Sequence, residues 1–284
     1  MKIGMCVLNY NDSLKTIDLV KKTLNLNYFY KIVVVDNCST ESNREKLKEL
    51  ERLNCKVVYS SKNLGYARGS NIGLKYLVEE INCDYVFNVN SDIQFSLSLC
   101  EEFLKYITTI DDLAAISSSV EEFDGSEGTS YWKFPTFWRS FKWLFWLYRR
   151  NHSQCEKYDF SSMNDLAYVD VLRASFVCFD SKKLKKINYF DENTFLYFEE
   201  NIICDKIMNN GFRCAVLLNN YYKHNHPHIN GNINKFSFKC NFESAYYYFV
   251  TYKKINFFKR ILFKVFTFFS MIEINCYLLL KRCS

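Results

Sequence analysis

The first 120 residues alternate two kinds of apolar pattern, and that alternation constrains the fold more than any other feature. Residues 3–8, 32–35, 57–59 and 85–89 are short apolar runs without polar interruption, the signature of strands buried on both faces of a parallel sheet. Between them, apolar residues recur at helical spacing: Leu14, Ile17, Val20 and Leu24; Leu47, Leu50 and Leu53; Leu74, Leu77, Val78 and Ile81. Asp12 or Ser13 is placed to cap the first of these helices. Strand–helix alternation of this kind predicts right-handed crossovers and a Rossmann-like, mostly parallel central sheet flanked by helices.

Hydrophobic content of 49% against 24% charged residues excludes a disordered chain. Only two prolines and eight glycines occur in 284 residues, which argues against flexible linkers. The twelve cysteines form no C-x-x-C pair and sit in apolar runs, as Cys6, Cys178 and Cys204 do. They read as small core hydrophobes of a reducing compartment, not as a disulfide framework. The N-terminal apolar run is too short for a signal peptide, so a cytoplasmic active face is expected.

The rhythm breaks near residue 123. All four tryptophans follow: Trp132, Trp138, Trp143 and Trp146, interleaved with Arg139, Lys142, Arg149 and Arg150. A strand is expected over 168–179, a short helix over 181–187, and a turn over 188–193. A helix is expected over 199–208, stopped by Gly211, and then a strand over 212–218. Beyond residue 240 the chain is aromatic, basic and helical in pattern, which predicts a C-terminal helical extension over 227–284.

The candidate functional residues lie at strand ends, where open α/β sheets bind ligands. Asn90-Ser91-Asp92 closes the fourth buried run and precedes a helix expected over 96–110. Its carboxylate suits a hard divalent cation; the alternative is a turn or helix cap. Asp36 ends the second run and reads equally as a hydrogen-bond acceptor for a nucleoside or as part of a helix N-cap, with Asp36 or Ser39 starting the next helix. The segment Asn63–Gly73 is a glycine-bearing loop entering a helix. It suits phosphate contact, with Arg68 adding charge, or a plain turn. It is neither a Walker loop nor G-x-G-x-x-G. Glu199-Glu200 opens a helix after Phe195-Leu196-Tyr197-Phe198, either as dipole partners or as a general base raised by aromatic walls. His224, His226 and His228 form an H-x-H-x-H run with no neighbouring Cys or acid, so one of the three is expected to bind metal.

Taken in order, these motifs resemble those of the inverting nucleotide-sugar glycosyltransferases of family 2. They are Leu8-Asn9-Tyr10-Asn11; Val34-Val35-Asp36-Asn37-Cys38-Ser39-Thr40; Asn63-Leu64-Gly65 with Asn71-Ile72-Gly73; Asn90-Ser91-Asp92; Arg173-Ala174-Ser175-Phe176; Asn188-Tyr189-Phe190-Asp191-Glu192; Phe195 to Glu200; and His224. The resemblance spans residues 1–226 and is greatest to the rhamnosyltransferase-like and galactofuranosyltransferase-like branch. It implies the glycosyltransferase A fold, with a nucleotide-sugar half over 1–120 and an acceptor half over 121–226. It also implies roles. Asn9 and Asp36 would hold the nucleoside, and Asn63, Gly65, Arg68 and Asn71 the nucleotide and diphosphate. Asn90 would position the sugar diphosphate, Asp92 and His224 would bind Mg²⁺ or Mn²⁺, and Glu200, beside Glu199, would be the base. Two departures stand out: Glu200 occupies a position where the branch has Asp, and Ile202 replaces a second acid. They leave open a catalytically weakened nucleotide-sugar or glycan-binding relative.

The implied partners are a nucleotide-diphosphate sugar and a glycan or lipid-linked glycan acceptor. Nucleic acid is not expected, because the basic stretch Lys253, Lys254, Lys259, Arg260 and Lys264 comes with no nucleic-acid-binding motif. Residues 261–280 are long enough to span a bilayer. Lys264, Glu273 and Asn275 favour an interfacial helix instead, at the inner face of the cell membrane. Packing of this helix on the tryptophan-rich stretch, or in a homodimer, is the alternative.

Overall fold

The computed structural model describes residues 1–149, 151–154, 156, 158–160, 165–225 and 234–283. The first half is built as the alternation predicts: β1 (Ile3–Asn9), α1 (Ser13–Leu24), β2 (Lys31–Asp36), α2 (Glu41–Glu51), β3 (Cys55–Tyr59), α3 (Tyr66–Lys75) and β4 (Tyr85–Asn90). A π-helical turn, Tyr76–Glu80, extends α3. Then come β5 (Ile93–Gln94), α4 (Leu97–Thr109), β6 (Leu113–Glu122) and β7 (Tyr131–Trp132). The second half contains α5 (Phe137–Trp143), α6 (Trp146–Arg149), β8 (Leu166–Val169), β9 (Val171–Leu172), β10 (Phe176–Asp180), α7 (Ser181–Lys186), α8 (Glu199–Asn209) and β11 (Arg213–His224). Two helices close the chain, α9 (Lys235–Thr251) and α10 (Phe257–Cys283).

Nine strands form one mixed sheet in the order β3-β2-β1-β4-β10-β6-β11-β5, with β8 also paired to β11. The β1–β2, β2–β3 and β1–β4 pairs are parallel, and β10 runs antiparallel between β4 and β6. Alternate residues of the central strands feed two cores. Met5, Val7, Val34 and Phe87 face α1 and α4, whereas Cys6, Val33, Val35 and Val86 face α3. Burial on both faces explains why these strands read as unbroken apolar runs. At Gly73 a Cβ would lie 2.4 Å from Cys6 Sγ, so only glycine lets α3 approach β1 this closely.

Several expectations are corrected. β3 is an edge strand and only partly buried, so 57–59 is not a two-sided core run. Leu14 is 67% exposed and Leu53 lies beyond α2. The side chains of Asp12, at the N-cap of α1, and Thr40, at the N-cap of α2, accept no capping hydrogen bond; Ser96 does so for α4. The single strand expected over 168–179 is parts of three, broken at Asp170 and at Arg173–Ser175. The strand expected over 212–218 continues to His224, past a register shift between Leu217 and Tyr221. The ten described cysteines are free and, apart from Cys38 and Cys276, buried.

A third core joins the tryptophan-rich stretch to the C-terminal helices. Phe137, Leu144, Phe198, Ile202, Phe242, Tyr248, Phe249 and Phe263 pack together, with Phe141 and Phe145 each 5.1 Å from Phe266 between ring centroids. The two aromatic segments therefore do pack on each other, through one face of α10. Ile202 is fully buried in this core, where an unpaired carboxylate would cost about 3–5 kcal/mol. The missing second acid is thus a consequence of the helices that cover α8.

Candidate active site

Strand register assembles the site. Asn9 pairs with Asp36, and Leu8 with Asn90, so the ends of β1, β2 and β4 share one edge of the sheet. In β11, His224 lies opposite Ile93 of β5 and Glu122 of β6, and Asn225 N donates to Asp92 O at 2.8 Å. That pairing brings His224 Nε2 to 3.5 Å from Asp92 Oδ2 across 130 residues of chain.

Glu122 and Arg173 complete this corner. Glu122 Oε2 lies 2.8 Å from His224 Nδ1, and Arg173 bonds Glu122 Oε1 at 2.7 Å and approaches Nδ1 at 3.1 Å. With Nδ1–H donated to Glu122, Nε2 is the nitrogen left to bind a metal once it gives up its proton, the usual outer-shell support for a metal-binding histidine. Burial opposes charge on His224, but its hydrogen bonding to Asp92 prevails and raises its pKa. Burial would raise Glu122, yet His224 and Arg173 lower it overall. A divalent cation could take the place of the proton between Nε2 and Asp92, and an oxygen plus an imidazole nitrogen suits Mg²⁺ or Mn²⁺. Glu122 is directed at the other ring nitrogen. Accordingly, no cluster of three or more converging His, Cys, Asp or Glu ligands is found among the described residues. His226 and His228 lie outside the described residues.

The acidic loop stands beside this corner. Tyr197 and Phe198 hold φ of 70° and 65°, an uncommon left-handed pair for bulky residues. Phe198 anchors the loop in the third core, and Glu199 and Glu200 open α8. Glu199 is 4% exposed, and burial followed by the Glu200 charge pushes its pKa well above the carboxylate range. Glu200 is half-buried. Burial raises it too, against hydrogen bonding from the Ala174 backbone and the charge of Arg173, which hold it down. The two carboxyls titrate as a coupled pair, both raised and Glu199 the more strongly. Glu200 also lines a cavity of about 170 Å³ with Trp132, Gln154, Tyr197, Asn201 and Asn241.

Tyr66 ties the loops together. Its hydroxyl donates to Ala174 O at 2.8 Å, accepts from Asn88 Nδ2 at 2.9 Å and lies 3.2 Å from Asn90 Oδ1. Burial first, then the charges of Glu200 and Glu199, raise its pKa well above the phenol range. Gly65 has φ of 80°, and a Cβ there would meet Phe195 O at 2.2 Å. The glycine loop is therefore shaped to dock on the acidic loop, and Tyr66 N bonds that same carbonyl at 2.9 Å.

Three of the expected donor residues turn their polar groups to neighbours within the protein. Asn9 is fully buried, its Nδ2 on Asp36 and Ser39 and its Oδ1 on Thr16. Asp36 is fully buried and accepts from Asn9, Ser39 N and Arg44 Nε. Asn71 is 2% exposed and bonds Phe190 through both ends of its amide, and Glu192. Asn63 accepts from Asn37 and Gly65 and is only partly buried. Arg68 is exposed, with its Nε on Glu192 O at 2.6 Å. Ser91 Oγ bonds Asp12 Oδ2 at 2.9 Å, fastening the β4 end to the β1 end. Sequence reasoning missed Glu122, Arg173 and Tyr66 as site residues, as well as Tyr10, a 52% exposed aromatic just past β1. Tyr10 carried a signal as an aromatic at a ligand-binding strand end, Tyr66 as part of the glycine loop and Arg173 as part of a family motif, whereas Glu122 carried none. A second groove of about 550 Å³ borders Asp92 on the α1 side, lined by Leu14, Lys15, Ile93, Phe95 and Phe123.

The model of the family described as Glycosyl transferase family 2 matches residues 3–171. The chain is 24% identical over 206 residues to the low-salt glycan biosynthesis hexosyltransferase Agl10 of Haloferax volcanii, covering 71% of this chain and 60% of that protein. The chain thus spans less than two thirds of that relative's length. Among solved structures it resembles the mannosyltransferase PcManGT of Pyrobaculum calidifontis in complex with GDP-Man and Mn²⁺. The TM-score is 0.60 at 12% identity, over 100% of this chain and 75% of that one. GalNAc-T7 with UDP, GalNAc and Mn²⁺ gives a TM-score of 0.58 at 13% identity, over 91% and 52%. TarS of S. aureus gives 0.52 at 18% identity, over 96% and 81%. The fold is the glycosyltransferase A fold that the resemblance implied.

Proposed function

The chain belongs to glycosyl transferase family 2, and on that premise we propose that it moves a sugar from a nucleotide-diphosphate donor to a hydroxyl of a glycan or lipid-linked glycan, inverting the anomeric centre. The observation that carries this reading is the convergence of Asp92 and His224, with Arg173 linking their corner to Glu200. Asp92 and His224 would hold Mg²⁺ or Mn²⁺, which when bound supplies Lewis-acid stabilisation of charge on a departing diphosphate.

The chain's own residues then divide the work. Tyr10 offers its exposed ring to the base, on a floor built by Asn9 and Asp36. Arg68 and the backbone around Asn63 and Gly65 face the diphosphate. Asn90, oriented by Tyr66, positions the sugar. The acceptor enters the 170 Å³ cavity beside Glu200, whose size is on the scale of one sugar ring. As the acceptor oxygen bonds to the anomeric carbon, the bond from that carbon to the diphosphate oxygen breaks on the opposite face. Glu200 takes the hydroxyl proton, a contribution of about 10²–10⁴-fold. Glu200 instead of Asp moves the base one methylene further into the cavity. The alternative of a catalytically weakened relative rests on Glu200 and Ile202; of the two, Ile202 packs in the third core and does not line this cavity.

A thermal-shift panel of UDP-, dTDP- and GDP-sugars with and without Mn²⁺ tests the donor side. One donor is expected to stabilise the protein in a Mn²⁺-dependent way, by about 2.7 kcal/mol at a hundredfold excess over its Kd. A panel in which no nucleotide sugar shifts the transition would contradict the reading. We further read the chain as working in the cytoplasm against the inner face of the cell membrane.

A further inference from the structure

The contacts of α10 account for only one of its faces. Phe263, Ser270 and Ile274 are buried against the body. Ser270 Oγ donates to Leu144 O at 2.7 Å, and Arg149 donates to Ser270 Oγ at 2.8 Å and pairs with Glu273 at 3.2 Å. On the opposite side, Phe258, Ile261, Val265, Phe268, Ile272 and Leu279 are 43–69% exposed. Three- and four-residue spacing from Phe258 to Ile272 makes a continuous apolar stripe about 21 Å long, and Leu279 lies on the same face two turns further on.

We propose that this stripe is an in-plane membrane anchor: α10 lies flat on an anionic bilayer, its exposed apolar residues among the acyl chains and its basic border among the headgroup phosphates. The proposal deepens the membrane reading above by naming the surface, the orientation and the lipid charge. It does not depend on sugar transfer.

Charge selects this occupant. Lys254, Lys259, Arg260 and Lys264 cluster at the N-terminal end of the stripe, beside Lys253, which pairs with Asp205 at 2.9 Å, and no acid occurs from 252 to 272. Such a border complements lipid phosphates. Acids that would answer these lysines on a second copy are absent from the same stretch. Trp138, 52% exposed beside Lys259, widens the apolar face with a side chain suited to the headgroup level. By length and composition, Phe257–Leu279 could cross a bilayer. Crossing would strip Ser270 and Glu273 from Leu144 and Arg149 and carry an ionisable group into hydrocarbon. The in-plane orientation keeps those bonds.

Flotation of the full chain with vesicles tests the proposal. The wild type is expected to float with mixed phosphatidylcholine–phosphatidylglycerol vesicles, more weakly with phosphatidylcholine alone, and to be released by alkaline carbonate. The Phe258→Ser/Phe268→Ser double variant removes two exposed rings and no core contact. It should keep its circular dichroism spectrum and lose binding at least about 10-fold per ring. Glu200→Gln should float like the wild type, which separates this surface from the catalytic reading. Failure of the wild type to float with either vesicle would overturn the proposal. So would a dimer in solution that the double variant dissociates, since a second copy would then own the stripe. Retention through carbonate would overturn the in-plane orientation.

Discussion

Glu200→Gln is expected to lower sugar transfer by about 10²–10⁴-fold and to leave donor affinity unchanged. The substitution keeps the size and hydrogen-bonding shape of the side chain and removes its ability to accept a proton. The carboxylate borders the cavity proposed for the acceptor, whose lining includes neither Asp92 nor His224. Its loss should therefore appear in kcat and not in donor binding. The pH dependence carries a sign. The pKa of Glu200 is raised by burial, and only the ionised form accepts the acceptor proton. Transfer should fall as pH drops through a value above the ordinary glutamate range. That acid limb should vanish in Glu200→Gln. Rates across pH, with donor binding by calorimetry, check both parts. Transfer near the wild-type rate in the variant would remove Glu200 from the chemistry.

Asp92→Ala is expected to abolish the part of donor affinity that depends on Mn²⁺. Removing the outer-shell partner of a metal-binding histidine typically costs about 10–100-fold in metal affinity, and removing a ligand itself should cost at least as much. Calorimetric titration of donor with and without Mn²⁺ reads the difference directly. In the wild type the two curves should separate, and in the variant they should coincide. Glu122→Gln, which weakens the support of His224 and the pairing with Arg173 but leaves both proposed ligands in place, should fall between them. If Asp92→Ala retained the full Mn²⁺ increment, the ion would have to bind elsewhere.

The parts of this molecule that sequence could reveal are those built from local pattern. Unbroken apolar runs announced β1, β2 and β4 because both their faces are covered. The Asn90-Ser91-Asp92 turn was legible because it follows such a run. Long-range register left no such mark. Glu122 becomes a partner of His224 only because β6 and β11 run parallel with those two residues paired. Arg173 and Ala174 reach the site because the chain expected as one strand breaks there to form a turn. Arg173 was quoted within a motif, but nothing local showed that it connects the two acidic centres. The glycine loop was ambiguous for a similar reason, since the group that Gly65 accommodates is the carbonyl of Phe195, far away in sequence. Asn9 and Asn71 sit where ligand contacts were expected, but their amides are engaged by neighbours that only the fold supplies. Ile202 reads as a lost acid in sequence and as a core residue once α9 and α10 are in place.

The central claim is a single displacement at the anomeric carbon, with Glu200 on the acceptor side and Asp92 with His224 on the diphosphate side. The anomeric configuration of the first-formed product, followed by NMR as transfer proceeds from the cognate nucleotide sugar, tests it most directly. The account predicts a product of opposite configuration to the donor from the first turnover. A first-formed product that retains the donor configuration would contradict it.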